Sequence, residues 1–97
     1  DLRNEIDSID RQMTELFEKR MEISRKVAKY KISTGKKVFD KEREKKVIEK
    51  AKDMTHNDFN RHGIEELFQQ IMAMSRKLQY QLLEENGVKM AGYIFDV

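Results

Sequence analysis

The sequence contains no cysteine, no proline and only four glycines among its 97 residues. Without cysteine there is no disulfide framework, no thiolate nucleophile and no cysteine-based metal site, which disfavours redox chemistry and suits the reducing cytoplasm. No apolar run approaches the roughly 20 residues needed to span a bilayer, so we expect no membrane partner. The scarcity of helix-breaking residues, in a chain rich in Lys, Arg, Glu, Leu, Ile and Met, predicts an all-α fold.

The chain also lacks a large excess of either positive or negative charge. The 20 Lys and Arg residues nearly balance the 18 Asp and Glu residues, and the two signs are interspersed along the chain. Such a pattern forms no basic surface for a polyanion, so we expect no nucleic-acid partner. The length allows one domain with a thin core rather than two independent cores.

Apolar residues recur at alternating spacings of four and three along the first third of the chain. They are Leu2, Ile6, Ile9, Met13, Leu16, Ile23, Val27 and Tyr30. This apolar stripe predicts one amphipathic helix over residues 2–33, and Gly35 supplies a left-handed turn that ends it. Arg20 occupies the one position of the stripe that is not apolar.

Two further helices are predicted after a short loop. Asp40 is a good N-cap for the second helix and Asn60 for the third, with Phe59 placed to pack on Ile64 as a hydrophobic staple. Gly87 is the predicted stop of the third helix.

The end of the third helix sets the predicted domain boundary. We expect a single domain over residues 1–87. The C-terminal tail, residues 88–97, fits no helical pattern, and we expect it to act as a linker if a further domain follows.

The predicted first helix is too long for its own chain to cover. About 32 residues at 1.5 Å each form a rod of about 48 Å, whereas a compact globule of this size has a radius of gyration near about 13 Å. Two shorter helices leave much of the apolar stripe open, and the same stripe on a second copy can cover it. We therefore expect three helices per chain, one of them very long, in an intertwined homodimeric helical bundle.

Each predicted helix also carries polar side chains where its stripe should be apolar. Buried polar groups need partners, so their convergence predicts a pocket for a small, anionic, hydroxylated ligand. Taken singly, Arg20 is explained equally well as a register-setting residue of a coiled coil or as a guanidinium that extends to solvent. An N-cap role explains Asp40 fully, and Ser75 is small enough to be tolerated in a helix interior. The stripe positions are Arg20, Asp40, Glu44 and Ser75, bordered one turn away by Lys31, Arg43 and Gln79.

Histidine spacing gives no sign of a metal site. His56 and His62 are six residues apart near a predicted loop, without the spacing of helical metal ligands, and we interpret both as solvent-exposed. The sequence also has no glycine-rich phosphate loop and no recognisable Ser-His-Asp set. We expect neither a metal nor a cofactor.

Short motifs in a fixed order carry a family resemblance over residues 2–86. They are Leu2-Arg3, Ile9-Asp10, Arg20, Lys29-Tyr30-Lys31, Asp40-Lys41-Glu42-Arg43-Glu44, and Leu67-Phe68 ahead of Ser75 and Gln79. In this order and spacing the chain resembles the all-α, or type II, chorismate mutases, which occur alone or fused to other enzymes of aromatic amino-acid biosynthesis. The resemblance implies a cytoplasmic, homodimeric isomerase that converts chorismate to prephenate without a cofactor.

The resemblance also implies roles for the polar positions. Arg3 and Arg20 match the two arginines that hold the substrate's carboxylates, with Arg3 contributed by the other subunit. Lys31 and Gln79 match the pair that hydrogen-bonds the ether oxygen of the breaking bond, so that Arg20, Lys31 and Gln79 form the implied catalytic set. Helix geometry agrees with the exchange, because Arg3 and Arg20 lie 17 residues, or about 26 Å, apart and cannot both contact one small molecule.

Four other positions complete the implied substrate site. Arg43 and Ser75 match residues that share carboxylate contacts with Lys31, and Asp40 and Glu44 match residues beside the ring hydroxyl. Two alternatives stay open. One is an isochorismate pyruvate lyase with the same fold and a related substrate, and the other is a non-catalytic helical dimerisation or regulatory module.

Overall fold

The structure of the chain, a computed structural model, describes residues 1–87. They form three α-helices, namely α1 (Leu2–Thr34), α2 (Lys41–Asp53) and α3 (Asp58–Glu85). The predicted all-α class with three helices, one of them very long, is confirmed for these residues. Gly87, the predicted stop, follows α3 with a φ of 71°. The predicted tail, 88–97, lies outside the described residues.

α1 has the length and the ends that its sequence predicts. Its 33 residues amount to about 50 Å at 1.5 Å per residue, which accounts for the longest dimension of 51 Å. Asp1 caps the N-terminus by accepting a hydrogen bond from the backbone N–H of Asn4. Gly35 has the predicted left-handed conformation, with a φ of 71°, so the helix ends at Thr34, one residue beyond the predicted end.

α3 begins earlier than predicted, and its predicted N-cap is wrong. The cap is Asn57, whose side chain accepts a hydrogen bond from the backbone N–H of Asn60 at 2.8 Å. Both asparagines suit a cap, but Asn57 is followed by Asp58, whose carboxylate complements the helix dipole in the first turn. Phe59 therefore lies inside the helix, is 87% exposed, and does not form the predicted staple onto Ile64.

α3 is the central element, because it packs against both α1 and α2. Its buried residues follow one line at spacings of three and four, namely Met72, Ser75, Gln79 and Leu83. Two of these residues are polar and lie side by side on the line. The middle of α3 therefore combines ordinary apolar packing with a buried polar surface, and this surface faces the candidate site.

α1 contributes small side chains to the packing of its own chain and leaves its apolar stripe outside. Its buried residues are Ser24 and Ala28, neither of which belongs to the stripe. The stripe itself is exposed in the single chain, from 38% at Val27 to 78% at Leu2. A contiguous apolar surface of this length is typical of association with another helix or another protein.

Candidate active site

One cavity of about 330 Å³ lies between the three helices and the loop that joins α1 to α2. Its volume is at the lower end of the range for small-molecule sites. Seven of the eight residues predicted to bind substrate line this cavity, namely Arg20, Lys31, Asp40, Arg43, Glu44, Ser75 and Gln79. The structure therefore brings the predicted set together, with Arg3 as the exception.

Helical periodicity explains how residues far apart in sequence share this cavity. Arg20 and Lys31 are separated by 11 residues, or about three turns, and so project from the same face of α1. Ser75 and Gln79 are one turn apart on α3 and face that side of α1. The two pairs form opposite walls of the cavity.

The first turn of α2 forms the third wall. Asp40 is the N-cap of α2, as predicted, because its side chain accepts a hydrogen bond from the backbone N–H of Arg43 at 3.0 Å. Asp40 also lines the cavity, so its capping role and its place in the site are compatible. Glu44 follows one turn later, where the helix dipole favours acidic side chains.

The guanidinium of Arg20 lies between α1 and α3. Its Nη1 donates a hydrogen bond to Oγ of Ser75 at 3.0 Å, and its Nη2 contacts Sδ of Met72 at 3.9 Å. Burial lowers the pKa of Arg20 below its usual value, and the charge of Arg43 lowers it further. A partly buried cation close to another cation is stabilised by an anion between them, so this corner of the cavity suits a carboxylate.

Lys31 enters the same cavity from the last turn of α1. Its Nζ donates a hydrogen bond to the backbone oxygen of Val38 at 2.7 Å, in the loop that precedes α2. Burial lowers the pKa of Lys31 below its ordinary value of 10.5, although the carboxylates of Asp40 and Glu44 act in the opposite direction. An ammonium group carries three donors, so Lys31 can hold the loop and still donate to a ligand.

Gln79 is the buried neutral group of the site. Its Nε2 donates a hydrogen bond to Oγ of Ser24 at 3.1 Å, and its Oε1 is buried without a hydrogen-bond partner. An unsatisfied buried carbonyl oxygen costs about 1–3 kcal/mol. Rotation of the amide by 180° lets the Ser24 hydroxyl donate to Oε1 and leaves Nε2 in the unpaired position, where an acceptor oxygen of a ligand would satisfy it.

Seven cavity residues are missing from the sequence prediction, and three of them offer a nitrogen or oxygen atom to a predicted residue, namely Ser24, Val38 and Arg76. Ser24 lies on the cavity side of α1, one turn after Arg20, and this spacing is a signal that the sequence does contain. Val38 contributes a backbone oxygen, which no side-chain pattern reveals. Arg76 directly follows Ser75, and adjacent residues on a helix point about 100° apart, so periodicity gives no reason to include it.

Arg3 lies apart from the other seven positions. It is exposed near the start of α1, about 26 Å along the helix axis from Arg20, and it does not line the cavity. A single chain therefore does not bring both implied carboxylate-binding arginines to one ligand.

His56 and His62 are exposed, as the sequence predicts. Within residues 1–87 no cluster of three or more His, Cys, Asp or Glu side chains is arranged to hold a metal ion. In the same range no helix combines the length and apolarity required to cross a membrane.

Comparison with known proteins identifies the family. The sequence model of the chorismate mutase type II family matches residues 2–80. The chain is 32% identical over 91 residues to a chorismate mutase of Methanocaldococcus jannaschii, a match that covers 92% of this chain and 91% of that protein. The chain belongs to the chorismate mutase type II family, which confirms the family that the resemblance of its motifs predicts.

Longer relatives contain a matching segment. The chain is 32% identical over 98 residues to a bifunctional chorismate mutase/prephenate dehydratase of Buchnera aphidicola subsp. Schizaphis graminum, covering 96% of this chain but 26% of that protein. It is 48% identical over 44 residues to a T-protein of Haemophilus influenzae, covering 45% of this chain and 12% of that protein. The chain thus spans about a quarter or less of these two relatives. No solved structure gives a significant match.

Proposed function

We propose that this chain converts chorismate to prephenate. The observation that carries the proposal is the convergence of three cationic side chains, Arg20, Lys31 and Arg43, on one cavity that also contains the buried amide of Gln79. Chorismate carries two carboxylates, a ring hydroxyl and an ether oxygen. The lining residues offer cations for the carboxylates, carboxylates for the hydroxyl and donors for the ether oxygen.

The reaction asks little covalent chemistry of a protein. The ether C–O bond breaks while a C–C bond forms within the same molecule, so that no nucleophile and no net proton transfer takes part. Two contributions remain for the side chains. They hold the enolpyruvyl group over the ring, and they stabilise the negative charge that develops on the ether oxygen.

Arginine suits the first of these tasks. A guanidinium binds a carboxylate through two parallel hydrogen bonds, which fix its orientation as well as its position. Arg20 is already oriented by its hydrogen bond to Ser75, and a bound carboxylate offsets the effect of Arg43 on its charge. We assign Arg43 and Ser75, with Lys31, to the remaining carboxylate contacts.

Lys31 and Gln79 suit the second task. Lys31 is held by the Val38 oxygen and directs a positive charge into a partly buried space, where electrostatic interactions are stronger than in water. Gln79 can present Nε2 to the same oxygen once the Ser24 hydroxyl donates to its Oε1. The Lys31 ammonium is in place before substrate arrives, and Gln79 needs only a rotation of its side-chain amide, so little reorganisation is needed during the reaction.

Asp40 and Glu44 are assigned to the ring hydroxyl. Both carboxylates line the cavity beside Lys31 and partly offset the lowering of its pKa by burial, so they lie on the same side of the pocket as the ammonium group. A hydroxyl donates readily to an ionised carboxylate. The ring end of the substrate therefore lies towards the start of α2.

The active form that we propose is an intertwined homodimer in which Arg3 of one chain completes the site of the other. Ile23 and Val27 belong both to the exposed apolar stripe and to the cavity lining. A helix packed on the stripe consequently borders the cavity. Antiparallel pairing of two α1 helices brings Arg3 of one copy towards Arg20 of the other and generates two equivalent sites.

We further propose that the enzyme is cytoplasmic and has no nucleic-acid partner. The chain has no cysteine to require an oxidising compartment, and the interspersed order of its charges predicts no basic surface. We assign the mutase activity to residues 1–87, the predicted domain.

The test is the disappearance of chorismate absorbance with purified protein, followed by chromatography of the product. We expect prephenate, and we expect Arg20→Ala to abolish most of the activity while leaving helical content unchanged. Unchanged chorismate in the presence of folded, dimeric protein refutes the proposal. Salicylate formed from isochorismate, with no reaction of chorismate, favours the lyase instead.

A further inference from the structure

Arg76 is a fourth cation at the cavity, and the reaction described above gives it no role. It lies on α3 directly after Ser75 and lines the cavity. Its side chain is 30% exposed, so it is neither fully solvated nor part of the apolar core. A partly buried charge at a ligand site needs a specific partner.

Arg76 has two such partners, on two different elements. Its Nη1 donates a hydrogen bond to Oε1 of Glu44 on α2, in an ion pair whose carboxylate side chain is only 19% exposed. Its Cζ lies 5.0 Å from the ring centroid of Phe39, in the loop before α2, within the range of a cation–π interaction. The guanidinium of Arg76 thus connects α3 both to α2 and to the loop that precedes α2.

The ion pair fixes the carboxylate that we assign to the ring hydroxyl. With Oε1 of Glu44 engaged by Arg76, the other oxygen is free to accept from a ligand. The pair also neutralises the negative charge of Glu44, which would otherwise oppose binding because the proposed substrate carries two negative charges. An unpaired Glu44 repels such a ligand, and the low local dielectric strengthens the repulsion.

The contact with Phe39 extends the effect to the neighbouring loop. Phe39 stands between Val38, whose backbone oxygen accepts from Lys31, and Asp40, the N-cap of α2. Holding the Phe39 ring therefore restrains the two backbone positions on either side of it. Each of them supplies a contact to the site.

We propose that Arg76 is a positioning residue for substrate binding, acting through Glu44. The proposal rests on the proposed function of the cavity. Because the ring hydroxyl takes no part in bond breaking, its contacts are as strong in the ground state as in the transition state. Loss of Arg76 should therefore raise KM for chorismate and leave kcat nearly unchanged.

The test is a double-mutant cycle between positions 76 and 44 in the full chain, measured with chorismate. Arg76→Met keeps the aliphatic stem and removes the charge, and we expect KM to rise about tenfold with kcat within about threefold. In an E44Q background the same substitution should change KM less than about threefold, because there is no carboxylate left to orient. Lys77→Met is the matched control, since it removes an exposed positive charge from the next residue of α3.

The outcomes separate this inference from the proposed function. An unsubstituted chain that does not consume chorismate overturns both. If the unsubstituted chain is active, equal KM values for Arg76→Met and Lys77→Met overturn the inference alone. So does a tenfold effect that persists in the E44Q background, because Arg76 would then act on the substrate directly. If Arg76→Met fails to fold, Arg76→Lys enters the same cycle, with an expected rise in KM of about threefold that vanishes with E44Q.

Discussion

Replacement of Lys31 by alanine tests the chemical step most directly. The ammonium group is anchored by the Val38 oxygen at 2.7 Å and lines the cavity together with Gln79. Loss of one preorganised donor to an oxygen that becomes negative costs roughly 3 kcal/mol, or about a hundredfold in rate. Because this interaction strengthens as the ether bond breaks, we expect the loss in kcat more than in KM.

Initial rates of chorismate consumption over a range of substrate concentrations separate the two constants. Lys36→Ala is the matched control, because it removes the same charge from a residue that does not line the cavity. The Nζ of Lys36 lies instead 5.1 Å from the ring centroid of Tyr30. We expect its kcat to stay within about threefold of that of the unsubstituted chain. Nearly full turnover of Lys31→Ala at saturating chorismate would refute the assigned role. An equal loss in both variants would refute it too, because overall charge would then be the cause.

Three further predictions concern the remaining parts of the site. Gln79→Glu should shift the pH profile of kcat towards acid, because an ionised carboxylate repels the developing oxyanion and only its protonated form can donate; an unchanged profile would argue against a donor at this position. The Arg3→Ala and Arg20→Ala chains should each be nearly inactive alone. Mixed and allowed to exchange subunits, they should recover about a quarter of the activity of the unsubstituted dimer, because half of the dimers then have one intact site; no recovery would place both arginines in one chain's site. The value of kcat/KM, which reports the free enzyme, should decrease at alkaline pH with a midpoint below pH 10.5, because burial lowers the pKa of Lys31 and the deprotonated amine carries no charge. A midpoint at or above pH 10.5 would contradict the direction of the shift.

Helix boundaries show where sequence reasoning is reliable. The end of α1 at Gly35 and the start of α2 at Asp40 follow from strong local preferences, a left-handed glycine and an N-cap side chain. The start of α3 was ambiguous, because Asn57 and Asn60 both suit a cap. The structure selects Asn57, and only a comparison of both first turns, including Asp58, would have favoured it.

The site shows a similar division. Polar residues that interrupt an apolar stripe, such as Arg20 and Ser75, reveal themselves through helical periodicity, and the structure brings these two within hydrogen-bonding distance. The supporting contacts have no such signature. The Val38 backbone oxygen depends on the path of a loop, and the pairing of Arg76 with Glu44 depends on how α2 and α3 pack.

The two surfaces of α1 support the proposal that a second chain completes the site. The side that faces α3 carries Arg20 and Ser24, whereas the apolar stripe faces outwards. The two surfaces meet at Ile23 and Val27, which line the cavity and remain partly exposed. Covering the stripe with a second helix would bury these residues, remove water from one side of the cavity and strengthen every charge interaction inside it. Association and catalysis are therefore expected to depend on the same residues. On this reading the length of α1, about 50 Å, provides the association surface that a domain with a small core of its own requires.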